Sequence, residues 1–155
     1  MSRHFVSKKE ARMVSQKIRE LGLQLSDGPT EVEEGRGVKV YFISGMPVLF
    51  SSGIEVPTLH LINRSRPQRS WIEVDDGAVP RISSGANLFA QGGIVSMDTA
   101  IRKGDVVYIR DGKGTYVAVG IAERDGQEIM ANKVGLAARV IHHVGDSIFK
   151  SYQRE

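Results

Sequence analysis

The chain contains no cysteine among its 155 residues, which excludes a disulfide, a thiolate metal site and a cysteine nucleophile. It also lacks any apolar run close to the roughly 18 residues that a membrane-spanning helix needs. The amino end has no hydrophobic segment of the signal-peptide kind. With 41% apolar and 25% charged residues, the composition is that of a globular protein. We therefore expect a soluble, cytoplasmic protein without a membrane partner.

Basic residues are concentrated in the first half of the chain. Residues 1–70 hold 11 basic and 7 acidic side chains, a net charge of +4, whereas residues 71–155 hold 10 and 11, a net charge of −1. Such an excess suits a polyanionic partner, but an ordinary solvated surface has the same composition. Charge alone leaves both interpretations open.

The first half has the pattern of one helix followed by short strands. Over residues 7–21, Ser7 and Glu10 are spaced as in a capping box, and Gly22 is well placed to end the helix. Apolar residues recur on one face of this segment, at Ala11, Val14, Ile18 and Leu21. Strands are predicted over 23–25, 30–34, 38–43, 48–50 and 58–62. We expect one helix packed on a small, mostly antiparallel sheet.

Residues 63–70 (NRSRPQRS) have the composition of a basic linker. The segment contains three arginines, one proline and no acidic residue. We therefore predict a front domain over residues 1–70, with its boundary at this linker. Arg64, Arg66 and Arg69 are candidates for auxiliary phosphate contacts, although they would also keep an exposed connector soluble.

The second half is denser in strand signals. Strands are predicted over 71–74, 88–90, 94–95, 105–110, 115–121 and 138–144, with a short helix over 76–84. Residues 111–114 (DGKG) form the turn of the clearest hairpin in the chain. Five or six short strands at this spacing favour a small barrel or sandwich.

No catalytic or metal-binding pattern is present. The four histidines lack metal-ligand spacing, and the adjacent pair His142 and His143 should point to opposite faces of a strand. Residues 112–115 (GKGT) lead into a strand rather than a helix, which excludes a phosphate loop. We predict a protein that is not an enzyme, has no cofactor or metal, and functions by binding.

A series of motifs in the second half resembles the PUA domain, the RNA-binding module of pseudouridine synthases and archaeal tRNA-guanine transglycosylases. The motifs are WIEVDDGA, SGANLFAQGGI, RKGDVV, VAVGIA and KVGLAARV, in that order between residues 71 and 140. The resemblance implies a PUA domain over residues 71–149, with residues 150–155 as a tail. It also implies the fold class: an α+β front domain followed by a mostly-β PUA-type pseudobarrel with two short helices.

The resemblance also implies an RNA-binding cleft, formed by the loop after the first helix of the domain and by the last strand. The corresponding residues are Arg81, Gly85, Ala86, Asn87, Leu88, Phe89, Ala90, Gln91, Gly92 and Arg139. In this interpretation a glycine-rich loop lets backbone amides approach phosphates. The alternative is that Gly85 and Gly92 serve only tight turns, and that Leu88 and Phe89 belong to the core.

The front half extends the resemblance to archaeal PUA proteins related to the malignant T-cell-amplified-sequence family of translation factors. The motifs are FVSKKEARMVSQKI, VYFISGMPVLF and PTLHLINRS. This resemblance implies a non-catalytic protein that binds tRNA or rRNA in translation initiation, with the small ribosomal subunit or a translation factor as partner. The alternatives are an accessory RNA-binding subunit of a pseudouridine synthase or tRNA-guanine transglycosylase, and a protein-interaction adaptor.

Overall fold

The computed structural model describes residues 2–35, 37–51 and 53–152 of the chain. The chain divides into two compact units, Met1–Arg66 and Pro67–Glu155. In the part described, no helix combines the length and the apolar character needed to cross a membrane.

The first unit combines two helices with an antiparallel sheet. Its described residues form strands that pair in chain order: β1 (Arg3–Phe5), β2 (Thr30–Gly35), β3 (Val38–Ile43), β4 (Met46–Ser51) and β5 (Glu55–Pro57). Helix α1 (Lys8–Glu20) follows β1, and helix α2 (Leu59–Ser65) follows β5. The predicted arrangement of a helix with a mostly antiparallel sheet is confirmed, and β1 is an additional strand.

Residues within and just before helix α1 determine where it begins and which side of it is buried. The Ser7 hydroxyl accepts a hydrogen bond from the Glu10 amide at 3.1 Å, which caps the helix. Val14 and Ile18 are buried. The Glu10 carboxylate accepts a hydrogen bond from the Tyr41 hydroxyl at 2.8 Å, so this side chain ties the helix to β3.

The predicted strand over residues 58–62 is wrong, because this segment begins helix α2. The Thr58 hydroxyl donates to the Pro47 carbonyl at 2.7 Å and accepts from the Leu61 amide at 3.1 Å, so Thr58 caps the helix. Leu59, Leu61 and Ile62 are all buried. Because these buried residues lie within a single turn, they show no helical periodicity, and the segment resembles a buried strand.

Two other expectations for the first half also differ from the structure. Residues 23–25 are irregular rather than a strand, although Leu23 is buried. The predicted linker over 63–70 begins inside helix α2, and Arg66 ends that helix in a left-handed conformation (φ 54°). Pro67 is buried, so the segment is more ordered than its composition indicates.

The second unit is a mixed β-sheet with short helices. Its elements are β6 (Trp71–Val74), α3 (Val79–Ser83), β7 (Leu88–Phe89), β8 (Ile94–Met97), β9 (Val106–Arg110), β10 (Tyr116–Ala122), α4 (Gly126–Ala131), β11 (Leu136–His143) and α5 (Ser147–Ser151). The strand order is β7-β11-β10-β9-β6-β8, with β6 parallel to β9 and the other pairs antiparallel. The predicted mostly-β pseudobarrel is confirmed. Helix α5 occupies part of the predicted tail over 150–155, of which residues 153–155 lie outside the described residues.

The turn between α3 and β7 is built around a glycine and a histidine ring. Gly85 has a φ of +94°, and a Cβ at this position would lie 2.9 Å from Nε2 of His143. Nδ1 of His143 lies 2.9 Å from the carbonyl oxygens of both Ser83 and Val144. Because carbonyl oxygens only accept hydrogen bonds, Nδ1 carries the hydrogen and the ring is fixed in place.

A buried histidine and an aspartate hold the end of β11. His142 is fully buried, and its Nδ1 lies 2.7 Å from Oδ2 of Asp146. Asp146 also accepts from the amides of His143 at 3.0 Å and Phe149 at 2.8 Å, which caps helix α5. Burial raises the pKa of Asp146, but the hydrogen bonds from His142, Phe149 and His143 outweigh it, and the net pKa lies below the ordinary value.

We expect Asp146→Asn to lower the free energy of unfolding by about 1 kcal/mol at neutral pH, because a neutral amide oxygen is a weaker acceptor than a carboxylate. The amide still caps α5, so the helix itself is retained. The pKa of Asp146 in the folded protein lies below its ordinary value of 3.8. The extra stability of the parent protein over the variant is therefore fully present above pH 3.8, and it is lost as the pH falls through the pKa of the folded protein. Urea denaturation of both proteins from neutral into acid conditions measures the difference. A difference that grows on acidification would contradict this assignment.

We expect Gly85→Ala to destabilise the protein more than Gly104→Ala does. The two glycines have φ values of +94° and +93°, so an alanine at either position costs roughly 1–2 kcal/mol of backbone strain. Only at position 85 does the new Cβ also meet a fixed ring, since nothing lies within 4 Å of a Cβ at Gly104. Urea denaturation of the two variants, repeated in a His143→Ala background, tests the contact. Equal losses in the parent background would show that the ring imposes no constraint.

Candidate nucleic-acid interface

Strand β7 and its partner β11 bring most of the predicted RNA-binding residues together. In this pair Leu88 lies opposite Ala138, and Phe89 lies opposite Leu136. Just before β7, Oδ1 of Asn87 accepts a hydrogen bond from the Val140 amide at 3.0 Å. Arg139, which lies between residues 138 and 140 of the same strand, is therefore beside Asn87.

The side chains of β7 and its neighbours alternate between core and solvent. Leu88 and Ala90 are 1% and 2% exposed, whereas Phe89 is 47% exposed. Leu88 therefore belongs to the core, and neither it nor Ala90 offers a side chain to RNA. The pleat turns these two side chains inward, whereas Phe89, for which a core position was the alternative, points to solvent.

The backbone amides of the loop are used within the protein. Those of Gly85, Ala86, Ala90 and Gly92 donate to the carbonyls of residues 82, 81, 135 and 89, at 2.7–3.1 Å. These four amides are therefore not free to donate to a phosphate. At these four positions, a contact with RNA would have to use another group.

Six exposed side chains surround β7 and form a continuous set of candidates. We call them the β7 surface, and they are Arg81, Asn87, Phe89, Gln91, Val134 and Arg139. Arg81 donates to the Gly92 carbonyl at 3.3 Å, and Oε1 of Gln91 accepts from the Gly135 amide at 3.0 Å. No hydrogen bond or ion pair joins the Arg139 side chain to any residue that the structure describes. Its guanidinium is thus available to an anion.

Residues 132–135 form a second side of this surface, which the sequence analysis missed. The Arg124 guanidinium donates to the carbonyls of Val134 at 2.6 Å, Asn132 at 2.7 Å and Glu128 at 3.1 Å. These bonds fix the loop and leave Val134 66% exposed. The only sequence signal was an arginine about ten residues before the loop that it supports, and no local pattern reveals this role.

His143 is a second residue whose position the sequence did not indicate. Its ring lies under Gly85, on the face of β11 opposite His142, as the alternation of a strand predicts. Nε2 has no hydrogen-bond partner among the described residues, and it is not among their buried unpartnered atoms. The residue thus supports the turn that leads into the β7 surface.

The three auxiliary arginines are all exposed but are divided between the units. Arg64 is in the last turn of α2 and Arg66 is its cap, whereas Arg69 belongs to the second unit. Burial raises the pKa of the Tyr108 phenol, and the positive charge of Arg69 partly offsets this effect. No cluster of three or more His, Asp or Glu side chains within residues 2–35, 37–51 and 53–152 is placed to hold a metal ion.

The β7 surface combines the exposed ring of Phe89 and the aliphatic side chain of Val134 with two side-chain amides and two guanidinium groups. An aromatic ring stacks against any nucleobase, and guanidinium groups bind phosphate or stack on bases. Amide side chains present both donors and acceptors to base edges.

Comparison with known proteins identifies both halves of the chain. Residues 70–144 match the PUA domain, and residues 2–65 match a domain of unknown function, DUF1947. A solved structure described as a conserved PUA domain protein from Thermoplasma acidophilum is 41% identical, with a TM-score of 0.90. The comparison covers 98% of this chain and 100% of that one.

Two eukaryotic proteins are similar over parts of both halves. Translation machinery-associated protein 20 of Schizosaccharomyces pombe is 28% identical over 119 residues, which is 72% of this chain and 65% of that protein. A malignant T-cell-amplified sequence 1 homolog of Drosophila melanogaster is 29% identical over 121 residues, 76% of this chain and 63% of that protein. Each alignment is longer than either matched domain, so it must extend into both. The chain therefore belongs to the family of PUA-domain proteins in which a DUF1947 domain precedes the PUA domain.

Proposed function

We propose that this protein is a non-catalytic RNA-binding protein that holds an unpaired segment of tRNA or rRNA on the β7 surface. The observation that carries the proposal is the exposure of Phe89 on the edge of a PUA sheet, beside an Arg139 side chain that no described residue pairs with. A PUA domain implies RNA binding, and the β7 surface supplies chemistry that fits this ligand.

The apolar part of the surface favours a nucleobase. Phe89 and Val134 are 47% and 66% exposed, and they lie on segments joined by the hydrogen bond from the Ala90 amide to the Gly135 carbonyl at 2.7 Å. An exposed aromatic ring beside an aliphatic side chain on a sheet edge is typical of a surface that binds a partner. A stacked base would cover the ring, and such stacking contributes about 1–3 kcal/mol per base.

The polar part of the surface favours a nucleic-acid strand over an uncharged ligand. Arg139 supplies a permanent positive charge, and Arg81 adds a second one. Asn87 uses Oδ1 to hold β11, which leaves its amide nitrogen to donate to a base or ribose. Bases become available for stacking and edge contacts chiefly in single strands, loops and ends, so we propose that the bound segment is unpaired.

Translation is the process we propose for this binding. The relative from Schizosaccharomyces pombe is named for its association with the translation machinery, and its similarity extends beyond the PUA domain alone. Sequence similarity to the enzymes among the relatives covers only 44–48% of this chain. We therefore propose cytoplasmic ribosomal components, namely the small subunit or a translation factor, as partners.

We expect Phe89→Ala to weaken binding of a fluorescently labelled tRNA by roughly 5- to 150-fold, because one stacked base contributes about 1–3 kcal/mol. Arg139→Gln should weaken binding too, and should reduce the slope of log K against log salt by about one phosphate contact. Fluorescence anisotropy over a range of salt concentrations measures both effects.

The matched control for these variants is Val95→Ala. Val95 is 55% exposed on β8, at the opposite end of the sheet order from β7, and should leave affinity unchanged. Full affinity in both Phe89→Ala and Arg139→Gln would refute the β7 surface as the RNA site. Co-purification of the tagged protein with an RNA-modification enzyme rather than with ribosomal subunits would contradict the role in translation.

A further inference from the structure

Helix α1 carries a row of basic residues along one side. Lys8, Arg12, Ser15 and Arg19 are spaced by four, three and four residues, which places them on one face of the helix. Lys8, Arg12 and Arg19 are exposed, and we call these three residues the α1 basic stripe. At 1.5 Å per residue, the stripe extends over roughly 16 Å.

The cations of the α1 basic stripe are not neutralised by the protein. The ion pairs described for the first unit join Arg3 to Glu33 at 3.5 Å and Lys39 to Glu34 at 3.9 Å. Glu10 lies on the opposite side of α1, where it accepts a hydrogen bond from Tyr41. No hydrogen bond or ion pair connects the side chains of the stripe to another residue in the described part of the chain.

A groove runs beside the stripe and is lined by both polar and apolar groups. Its volume is about 420 Å³, and the helix contributes the side chains of Arg12, Ser15, Gln16 and Arg19 to it. The other side is formed by Asp27, Gly28 and Thr30. Asp27 is the one carboxylate in this lining, against two guanidinium groups, so the groove favours an anionic ligand.

The linear arrangement of the three cations fits an extended polyanion better than a small anion. A small anion would be held by one or two converging cations, whereas these three cations follow a line of about 16 Å, or 11 residues of helix. A membrane-surface helix turns its apolar face outward, but Val14 and Ile18 of α1 are buried in the unit. The stripe also lacks the apolar centre that a specific protein interface normally has. The phosphate backbone of a nucleic acid is the ligand that satisfies all three conditions.

We infer that the α1 basic stripe is a second RNA-binding site, which contacts phosphates without reading sequence. This inference rests on the proposed function, because a second weak contact in one chain strengthens the binding of a single RNA or RNA assembly that the β7 surface also holds. Its contribution is electrostatic, so it raises affinity and salt dependence for every sequence alike.

The test replaces Lys8, Arg12 and Arg19 together with glutamine, whose helix propensity is close to that of lysine and arginine. The control replaces Lys39, Lys103 and Lys113 with glutamine, which removes the same charge from exposed positions elsewhere. Binding of a labelled tRNA and of an unrelated single-stranded RNA is measured by anisotropy as salt is raised. Each phosphate contact contributes about 0.7 to the steepness of the plot of log K against log salt. We therefore expect this slope to be shallower by about 2 in the stripe variant, for both RNAs. The control should stay near the parent, and circular dichroism should show intact helix in both variants.

The possible results separate this inference from the proposed function. If the stripe variant keeps the parent slope and affinity while Phe89→Ala loses affinity, the stripe is not an RNA site and the β7 surface remains one. If the stripe variant loses slope while Phe89→Ala binds normally, the stripe is supported and the β7 surface is refuted. If the stripe variant instead loses binding to an acidic protein or to anionic lipid vesicles, with RNA binding unchanged, the occupant is not RNA and the inference is overturned.

Discussion

The pairing of β7 with β11 is the constraint on which the candidate interface depends. β7 contributes only Leu88 and Phe89, yet its register places the first in the core and the second in solvent. Hydrogen bonds on both sides of the strand, from the Val140 amide to Asn87 and from the Ala90 amide to the Gly135 carbonyl, hold that register. A slip of one residue would expose Leu88 and bury Phe89. The same few bonds therefore determine the fold of this edge and the chemistry that it presents.

Backbone groups in this region are used by the fold, which shifts recognition to side chains. Gly85 is required because its φ is +94° and because the His143 ring occupies the space of a Cβ, and its amide already donates to the Ile82 carbonyl. Glycine at this position thus shapes the turn rather than offering an amide to phosphate. In the proposed function, the selectivity of the β7 surface then depends on the ring of Phe89 and on the donors of Asn87 and Arg139.

Features that depend on residues close together in the sequence could be predicted, whereas features that depend on contacts between distant segments could not. Helix α1 was predictable because its cap at Ser7 and its apolar spacing lie within the helix itself. Helix α2 was mistaken for a strand because its buried residues lie within a single turn, which leaves no periodic signal. In the interface, the grouping of Asn87, Phe89 and Arg139 followed from a family resemblance. Which of Leu88 and Phe89 turns inward, how Arg124 supports the loop and where His143 lies depend on contacts between distant segments.

The uneven charge of the chain suggests that its two halves would contribute to RNA binding in different ways. Residues 71–155 have a net charge of −1, so long-range attraction of RNA by this half is weak. In the proposed function, the contacts of this half come from stacking and hydrogen bonds, which act only at short range and depend on geometry. The net charge of +4 over residues 1–70 acts at longer range and does not distinguish sequences. If the cations of α1 were instead placed around Phe89, that surface would hold any polyanion, whether or not it offered an unpaired base. If the proposed function holds, charge kept on another part of the chain raises affinity for RNA, and the β7 surface retains its dependence on an exposed base.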